Sequence, residues 1–440
     1  MRYSTLSRIG VVAALSALPT VAFAQQAITI QHIRPTDQRG INVFETPKED
    51  TVTFTGTKIS WGGAFRQDFQ GIAHSNTALP RLVNNVDQNK LITIGHGFNN
   101  AVANLYLNAQ LAKGIRVAMT SYLSARHHNE TWVKDGYLLV DDSPINNPLL
   151  NELMSHLTLK VGHFEINYGD QHFRRTDNGL AMYNPFVGNA ILDAFTTEVG
   201  AEAYVHDGWW LAMVGATNGE VRGTILTPGS RGVAYEGKLG IDTKLDQNIR
   251  FRLTGSTFLQ DHANSQTLYG GDRGGSPFYD VVESQTSTET GNAWSGQIRN
   301  PFTNKVHAFV VNPFVKVQGL ELFGNIEQAK GNNNNGTTTV DASDRTWNQY
   351  LFDGLYRFMN DQFYVGGRYN TASGTLAGIT PLGSDKVGAT RYEFGGGWFV
   401  TPNILAKAEW VNQKYNNFPT SDIRNGGKFN GFMIQGVVGF

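Results

Sequence analysis

The last fourteen residues, Gly427 to Phe440, read GKFNGFMIQGVVGF and constrain the chain more than any other stretch. Phe432, Ile434, Gly436 and Val438 alternate with Gly431, Met433, Gln435 and Val437, a period of two that specifies a β-strand. A soluble protein avoids ending on an exposed apolar strand edge. In a membrane barrel the same ending makes sense. The apolar face meets lipid, the terminal ring sits at the interface, and the edge vanishes when the last strand pairs with the first. A core strand of a soluble sandwich shows the same local pattern, so the rest of the chain must decide.

Met1 to Ala24 combines Arg2 and Arg8 with an apolar run from Ile9 to Leu18 and an Ala22-Phe23-Ala24 cleavage site, the signature of a secretory signal peptide. The run is too short to span a bilayer, and no later stretch approaches the roughly 20 apolar residues of a spanning helix. The absence of cysteine excludes a lipidated N-terminus, disulfides and thiol chemistry. The expected organisation is a signal peptide at 1–24, a short periplasmic lead-in at 25–49 and a barrel at 50–440. Losing Arg2 and Arg8 leaves 34 basic residues against 37 acidic, which suggests neither nucleic acid nor an anionic membrane surface as a partner.

From Thr51 onward the chain divides into sixteen strand-like segments, beginning at 50–61, passing through 249–260 and 345–358, and ending at 427–440. Their connections alternate in length. Tight turns such as Ala112-Lys113-Gly114, His206-Asp207-Gly208, Asp246-Gln247-Asn248, Asn360-Asp361 and Thr401-Pro402-Asn403 take turns with long loops rich in Gly and Asn. Short turns on one side and long loops on the other are the mark of an up-and-down outer-membrane barrel, with the C-terminus and the turns at the periplasm. The connection 142–152 is the one irregular turn on that side. The expected fold is therefore all-β: a transmembrane, antiparallel, up-and-down barrel of about 16 strands.

The facing of the strands follows from their charges. In 249–260, Ile249, Phe251, Leu253 and Leu259 alternate with Arg250, Arg252, Thr254, Ser256 and Gln260. In 233–245, Tyr235, Leu239, Ile241 and Leu245 alternate with Glu236, Lys238, Asp242 and Lys244. A charge on the lipid face costs roughly 2–4 kcal/mol at mid-membrane, so the charged set faces inward, toward a water-filled interior. Trp209, Trp210, Tyr364, Trp398, Phe399, Trp410 and Phe440 lie near strand ends, where rings suit the membrane interface.

Four stretches add a family resemblance: GHFEINYGDQHFRRTDNG at 162–179, NPF at 312–314 running into VKVQGLELFG, GWFVTPNILAKAEWVNQKY at 397–415, and the closing GKFNGFMIQGVVGF. They resemble outer-membrane porins, and within them the phosphate-selective O and P type. The resemblance implies a sixteen-stranded homotrimeric channel with its third extracellular loop folded into the lumen. The signal peptide, the alternation and Phe440 make the terminal strand the expected signal for membrane assembly, with outer-membrane lipids and the barrel-assembly machinery of a Gram-negative bacterium as partners. Phosphate-selective members line the channel with a dense arginine ladder. This chain instead mixes signs.

On the strand count the third extracellular loop is Gly169 to Ala194, and Asp170, Arg174, Arg175 and Asp177 are its candidate constriction residues. Opposed charges across a narrow passage create a field that orders water and favours small polar solutes. Tying the loop to the wall is the competing role for Arg174 and Asp177. The wall is expected to present Arg116, Arg126, Lys238, Lys244, Arg250, Arg252, Arg368 and Arg391 inward, against Glu198, Glu202, Glu236, Asp242, Glu321, Glu327 and Glu393. These nearly balance. A unit charge a few ångströms away contributes on the order of 4 kcal/mol at an effective dielectric near 20, whereas wall charges beyond about 8–10 Å are screened. The Arg174-Arg175 pair should then outvote the wall and give a mild anion preference, reversible by replacing both with glutamate.

His127-His128, His163 and His172 lack the spacing of a zinc site, and no hydrolase or P-loop motif occurs, so neither metal nor cofactor is expected. The glycine-rich GGDRGGSPFYD at 270–280 lies in the longest loop and precedes no helix, so it cannot cradle phosphate. The leading expectation is passive diffusion of ions and small hydrophilic solutes, without enzymatic activity. An outer-membrane barrel hydrolase of lipids or peptides and a loop-mediated adhesin are the alternatives.

Overall fold

The computed structural model describes residues 29–45, 48, 52–125, 130–143, 145–219, 232–263, 265–333, 343–380 and 385–440. The expected signal peptide lies outside the described residues. Sixteen long strands build one closed antiparallel sheet: β1 (Lys58–Ser75), β2 (Val102–Ala112), β3 (Ile115–Ser124), β4 (Glu130–Val140), β5 (Leu157–Glu165), β6 (Thr197–Asp207), β7 (Trp210–Thr217) and β8 (Ala234–Lys244), followed by β9 (Ile249–Gln260), β10 (Lys305–Val317), β11 (Leu320–Asn332), β12 (Arg345–Phe358), β13 (Phe363–Gly374), β14 (Val387–Thr401), β15 (Ile404–Asn416) and β16 (Lys428–Gly439). Each strand pairs with its sequence neighbours. β16 returns to β1 in a register running from Ala64 opposite Gly439 to Ser75 opposite Lys428. Closure leaves no free edge, which is what lets a sheet cross a bilayer.

The first segment is misplaced by the sequence. The alternation of 51–55 suggests a strand starting at 50, whereas β1 runs from Lys58 to Ser75. β1 outruns its partner β2, which pairs only along Lys58–Arg66, and the short strand Gly97–Phe98 takes over opposite Phe69 and Gln70. The irregular connection after β4 contains the helix α1 (Pro148–His156), capped by the Asn147 side chain, which accepts from the N–H groups of Leu149 and Leu150.

The outer wall is apolar. Leu239, Val214, Ile434, Phe394 and Phe432 are exposed on it, while Lys238, Gln435 and Arg252 point the other way and are buried inside. Along β16, Met433, Gln435 and Val437 turn inward while Phe432 and Ile434 face out, as the alternation requires. Trp209, Trp398, Trp410 and Phe440 are exposed on this surface, but Tyr364 and Phe399 are buried inside, because each sits one residue out of phase with the outward set. Tyr364 donates its hydroxyl to the Pro185 carbonyl at 2.9 Å.

The interior is not the open, water-filled space expected from the sequence. Three segments occupy it: the third long loop (166–196), the fifth (261–304) and the N-terminal residues 29–45. Val187, Ile191 and Leu192 of the third loop and Leu268, Phe278, Val281 and Ile298 of the fifth share one apolar cluster with inward wall residues such as Phe258, Trp347 and Phe429. A sixteen-strand wall encloses more space than its own side chains fill, and these loops carry the apolar surface that fills it. The N-terminal segment, expected as a separate periplasmic lead-in, packs instead against the inside of the turn-side mouth. Phe44 meets the rings of Phe173 and Phe314 edge-on, each with centroids 5.5 Å away.

Candidate functional site in the barrel interior

The third loop is fastened from several sides. Lys407 of β15 donates to the carbonyls of Ala181, Asn184 and Phe186 at 2.9, 2.9 and 3.0 Å. Arg368 of β13 and Arg391 of β14 donate to the carbonyls of Gly188 and Asn189 at 2.9 and 2.7 Å. On the opposite side, Asn104 of β2 accepts from the Gly179 N–H at 3.0 Å. A Cβ at Gly179 would lie 2.6 Å from the Ala103 Cα, so only glycine lets the loop approach the wall this closely. These contacts, all to inward side chains, lay the loop across the barrel interior.

The four candidate constriction residues do not gather around one opening. Asp170 takes two hydrogen bonds of 2.8 Å from Arg252 of β9 and lies 2.8 Å from the Lys238 ammonium of β8. Arg174 turns toward β10–β12, stacking over Phe323 and Phe314, with Glu321 at 3.8 Å and Asp353 at 4.0 Å. Arg175 turns the other way and grips Asp193 through bonds of 3.0 and 2.7 Å, with Asp272 of the fifth loop at 3.4 Å. Asp177 accepts from the Tyr122 hydroxyl and stands 3.4 Å from Lys134. The expected local arginine pair is therefore split between two walls, and each member is matched by carboxylates. Burial, and then Asp272 and Asp193, push the Asp177 carboxyl well above the usual carboxylate range.

The wall charges are likewise paired. Arg116 donates to Asp141 at 2.8 Å, Arg250 to Asp242 at 2.8 and 2.7 Å, and Arg368 to Asp353 at 2.6 and 2.9 Å. Glu321 accepts from Arg357 at 2.8 Å, Glu198 from Gln266 at 3.1 Å, and Glu202 from the Asn167 N–H at 2.8 Å. Arg391 donates to Gln413 at 2.7 Å and lies 3.8 Å from Glu393, while the Glu327 carboxylate accepts from Tyr269 at 2.6 Å. Glu236 is buried inside beside the β7 wall. Lys244 is exposed at the turn-side mouth, where β8 ends, and lines the opening there with Arg250 and Asn42. Arg126 lies outside the described residues, as do His127 and His128.

A cavity of about 310 Å³ lies between the third loop and the wall from β2 to β7, and a second of about 450 Å³ opens at the turn-side mouth beside Asn42 and Arg250. The first is lined by Lys134, Asp135, Lys160, Glu165, Arg175 and Asp177, with Tyr106, Tyr137, Tyr183 and Phe173 among its apolar walls. Lys134 is its hub: Glu165 lies at 2.6 Å, Asp135 at 3.0 Å and Asp177 at 3.4 Å. Two consecutive strand residues normally face opposite ways. Lys134 and Asp135 both face in because the register slips between Thr120 and Ser121, whose partners are Asp135 and Val133, leaving Lys134 as a bulge. Sequence reasoning missed this pair, since a bulge leaves no mark in a period-two pattern. It also missed Arg34, which donates to the Phe173 carbonyl at 3.0 Å, and Glu45. Residues 29–45 are mostly polar and carry no pattern that would have pointed to either.

The described fold resembles solved outer-membrane barrels. The loop L8 deletion mutant of OmpT, an outer membrane protein of Vibrio cholerae, matches with a TM-score of 0.51 at 10% identity, over 88% of this chain and 100% of that one. The trimer form of in-vitro folded OmpT gives 0.50 at 9% identity, over 88% and 100%. The anion-selective porin from Comamonas acidovorans gives 0.50 at 10% identity, over 87% and 100%. At such identities the likeness is one of fold. No protein-family model and no curated protein matches the chain. The chain is a closed sixteen-stranded antiparallel barrel of the kind found in outer-membrane proteins.

Proposed function

We propose that the chain is an outer-membrane porin that passes ions and small hydrophilic solutes by diffusion, with a mild preference for anions. The observation that carries this reading is the mixed-charge cavity of about 310 Å³ left beside the third loop in a barrel with an apolar outer wall. We place the passage along the β2–β7 wall, past Lys134 and its three carboxylates. Arg34, Lys48, Lys134, Lys160 and Arg175 slightly outnumber Glu45, Asp135, Glu165 and Asp177 around it, which supports the anion preference. Phosphate selectivity is not part of the proposal, because the interior arginines are matched by carboxylates and carbonyls. The signal peptide takes the chain to the periplasm, where the barrel-assembly machinery inserts it into the outer membrane through the Phe440 strand. The reading assigns no enzymatic activity and no cofactor; assays of the purified barrel for lipase and protease turnover would expose a hydrolase.

Liposome swelling tests the channel. Vesicles carrying the protein should swell in small neutral solutes and progressively less as solute size rises, and vesicles that never swell would refute the channel. We further propose a homotrimer, supported by the fold likeness to the trimer form of OmpT. Mass measurement in mild detergent should return three chains per particle. One chain would overturn the trimer.

A further inference from the structure

We propose that Arg252, Lys238 and Asn167 form a binding site for a carboxylate-bearing solute, and that the chain's own Glu45 occupies it when no solute is present. Three donors converge on this one side chain. The Lys238 ammonium lies 2.7 Å from Glu45 Oε1, Asn167 Nδ2 donates to the same oxygen at 2.8 Å, and Arg252 Nη2 donates to Oε2 at 2.5 Å. Both carboxylate oxygens are thereby satisfied, and the side chains of Arg252 and Lys238 are fully buried. A planar two-oxygen acceptor fits such a set of donors better than a spherical ion does.

The charge count says why the site needs an occupant. Arg250, Arg252 and Lys238 face Asp170, Asp242 and Glu45, so the cluster is neutral only while Glu45 is present. Withdrawing Glu45 leaves one buried positive charge unmatched, a condition that proteins avoid unless an anion replaces it. Arg252 and Lys238 hold the Glu45 carboxyl well below the usual carboxylate range against the opposing effect of burial.

Glu45 belongs to the N-terminal segment and not to the barrel wall, so it can leave without breaking a strand. The segment's other ties are mostly polar: Asn42 donates to Glu321 at 2.7 Å, Arg250 to the Asn42 carbonyl at 2.8 Å, Gln38 to the Asp361 carbonyl at 2.9 Å, Thr36 to the Phe440 carbonyl at 3.1 Å and Arg34 to the Phe173 carbonyl at 3.0 Å, while His32 lies 2.6 Å from Asp141. Phe44 adds aromatic contacts to Phe173 and Phe314. A solute carboxylate that takes the Glu45 position therefore removes two buried ion pairs from the ties that hold the segment at the turn-side mouth. The proposal rests on the channel reading only for the solute's route.

Calorimetric titration with sodium acetate, ionic strength held constant with sodium chloride, tests the site in detergent-solubilised mature protein. Glu45→Ala should bind one acetate per chain at least tenfold more tightly than the wild type, in which Glu45 competes. Adding Arg252→Met to Glu45→Ala should abolish that binding in protein that still migrates as a folded barrel. Equal affinity in wild type and Glu45→Ala, no binding to a folded Glu45→Ala barrel, or binding that survives Arg252→Met each overturns the proposal. If Glu45→Ala does not fold, a nitroxide at Arg39→Cys in the otherwise wild-type chain decides. Acetate should mobilise the label where equal chloride does not, and an unchanged spectrum refutes the site. Neither readout needs conduction, so a chain that binds acetate but passes no current keeps the site and loses the channel.

Discussion

Gly63 and Phe440 exchange two main-chain hydrogen bonds, Gly63 N–H to the Phe440 carbonyl and Phe440 N–H to the Gly63 carbonyl, each 2.9 Å long. This pair fastens the last residue to the first strand and closes the ring. The fit is tight: a Cβ at Gly62 would lie 2.6 Å from the Phe440 carbonyl oxygen. Gly62→Val should therefore slow or block closure, and Phe440→Asp should abolish assembly. Heat-modifiable migration of the membrane fraction checks both, and a Phe440→Asp chain that still migrates as a folded barrel would show that the terminal ring is dispensable.

Arg252→Met should be strongly destabilising. Asp170 would lose a two-bonded arginine in a buried setting, and breaking a buried pair by removing one partner costs about 3–5 kcal/mol. The denaturation midpoint in urea should fall, and Asp170→Asn in the same chain should restore part of it. A single variant with the wild-type midpoint would mean that water or another cation replaces the arginine freely.

Selectivity should respond to Lys134 more than to the arginines of the third loop. Lys134→Met leaves Asp135, Glu165 and Asp177 without their shared cation, so the zero-current potential should move toward cations at low salt and return toward wild type at about 1 M. Arg175→Glu has a different consequence from the charge reversal expected from sequence. It sets a carboxylate beside Asp193 and Asp272, and reduced folded yield should dominate. A well-folded Arg175→Glu barrel with a shifted potential would restore the arginine pair as the selectivity element.

The fifth loop should loosen as pH rises. Burial pushes the Glu283 carboxyl up to about 7, with Asp280 adding to the shift and Ser295, Asn292 and Arg424 opposing it. Its folded value lies above the ordinary one, so its stabilising contribution is complete below about 4.5 and is lost as pH rises through about 7. Protease nicking of residues 261–304 should increase between about pH 5 and 8, by up to about tenfold per pH unit. Glu283→Gln should flatten the profile, and an unchanged slope in that variant would assign the effect to another group.

Strand positions were legible because a barrel wall imposes period two over long stretches. Ile249–Gln260 and Arg345–Phe358 coincide with their expected limits. The inward set was legible for the same reason, and Arg116, Lys238, Arg252 and Arg368 are all buried inside. What the pattern could not carry was the partner of each charge. Arg174 and Arg175 are adjacent in sequence but diverge to Glu321 and Asp193, a separation set by loop packing that no local spacing encodes. The filling of the lumen was hidden similarly, because Leu268, Phe278 and Ile298 lie in a loop without periodicity, and only their apolar character hints at burial.

Planar-bilayer recording of the purified mature chain in an asymmetric salt gradient tests the central claim most directly. The account predicts discrete conductance steps, a reversal potential displaced modestly to the anion side, and a displacement that shrinks as salt is raised. Heat-modifiable, folded protein that gives no steps, or a reversal potential firmly on the cation side, would contradict it.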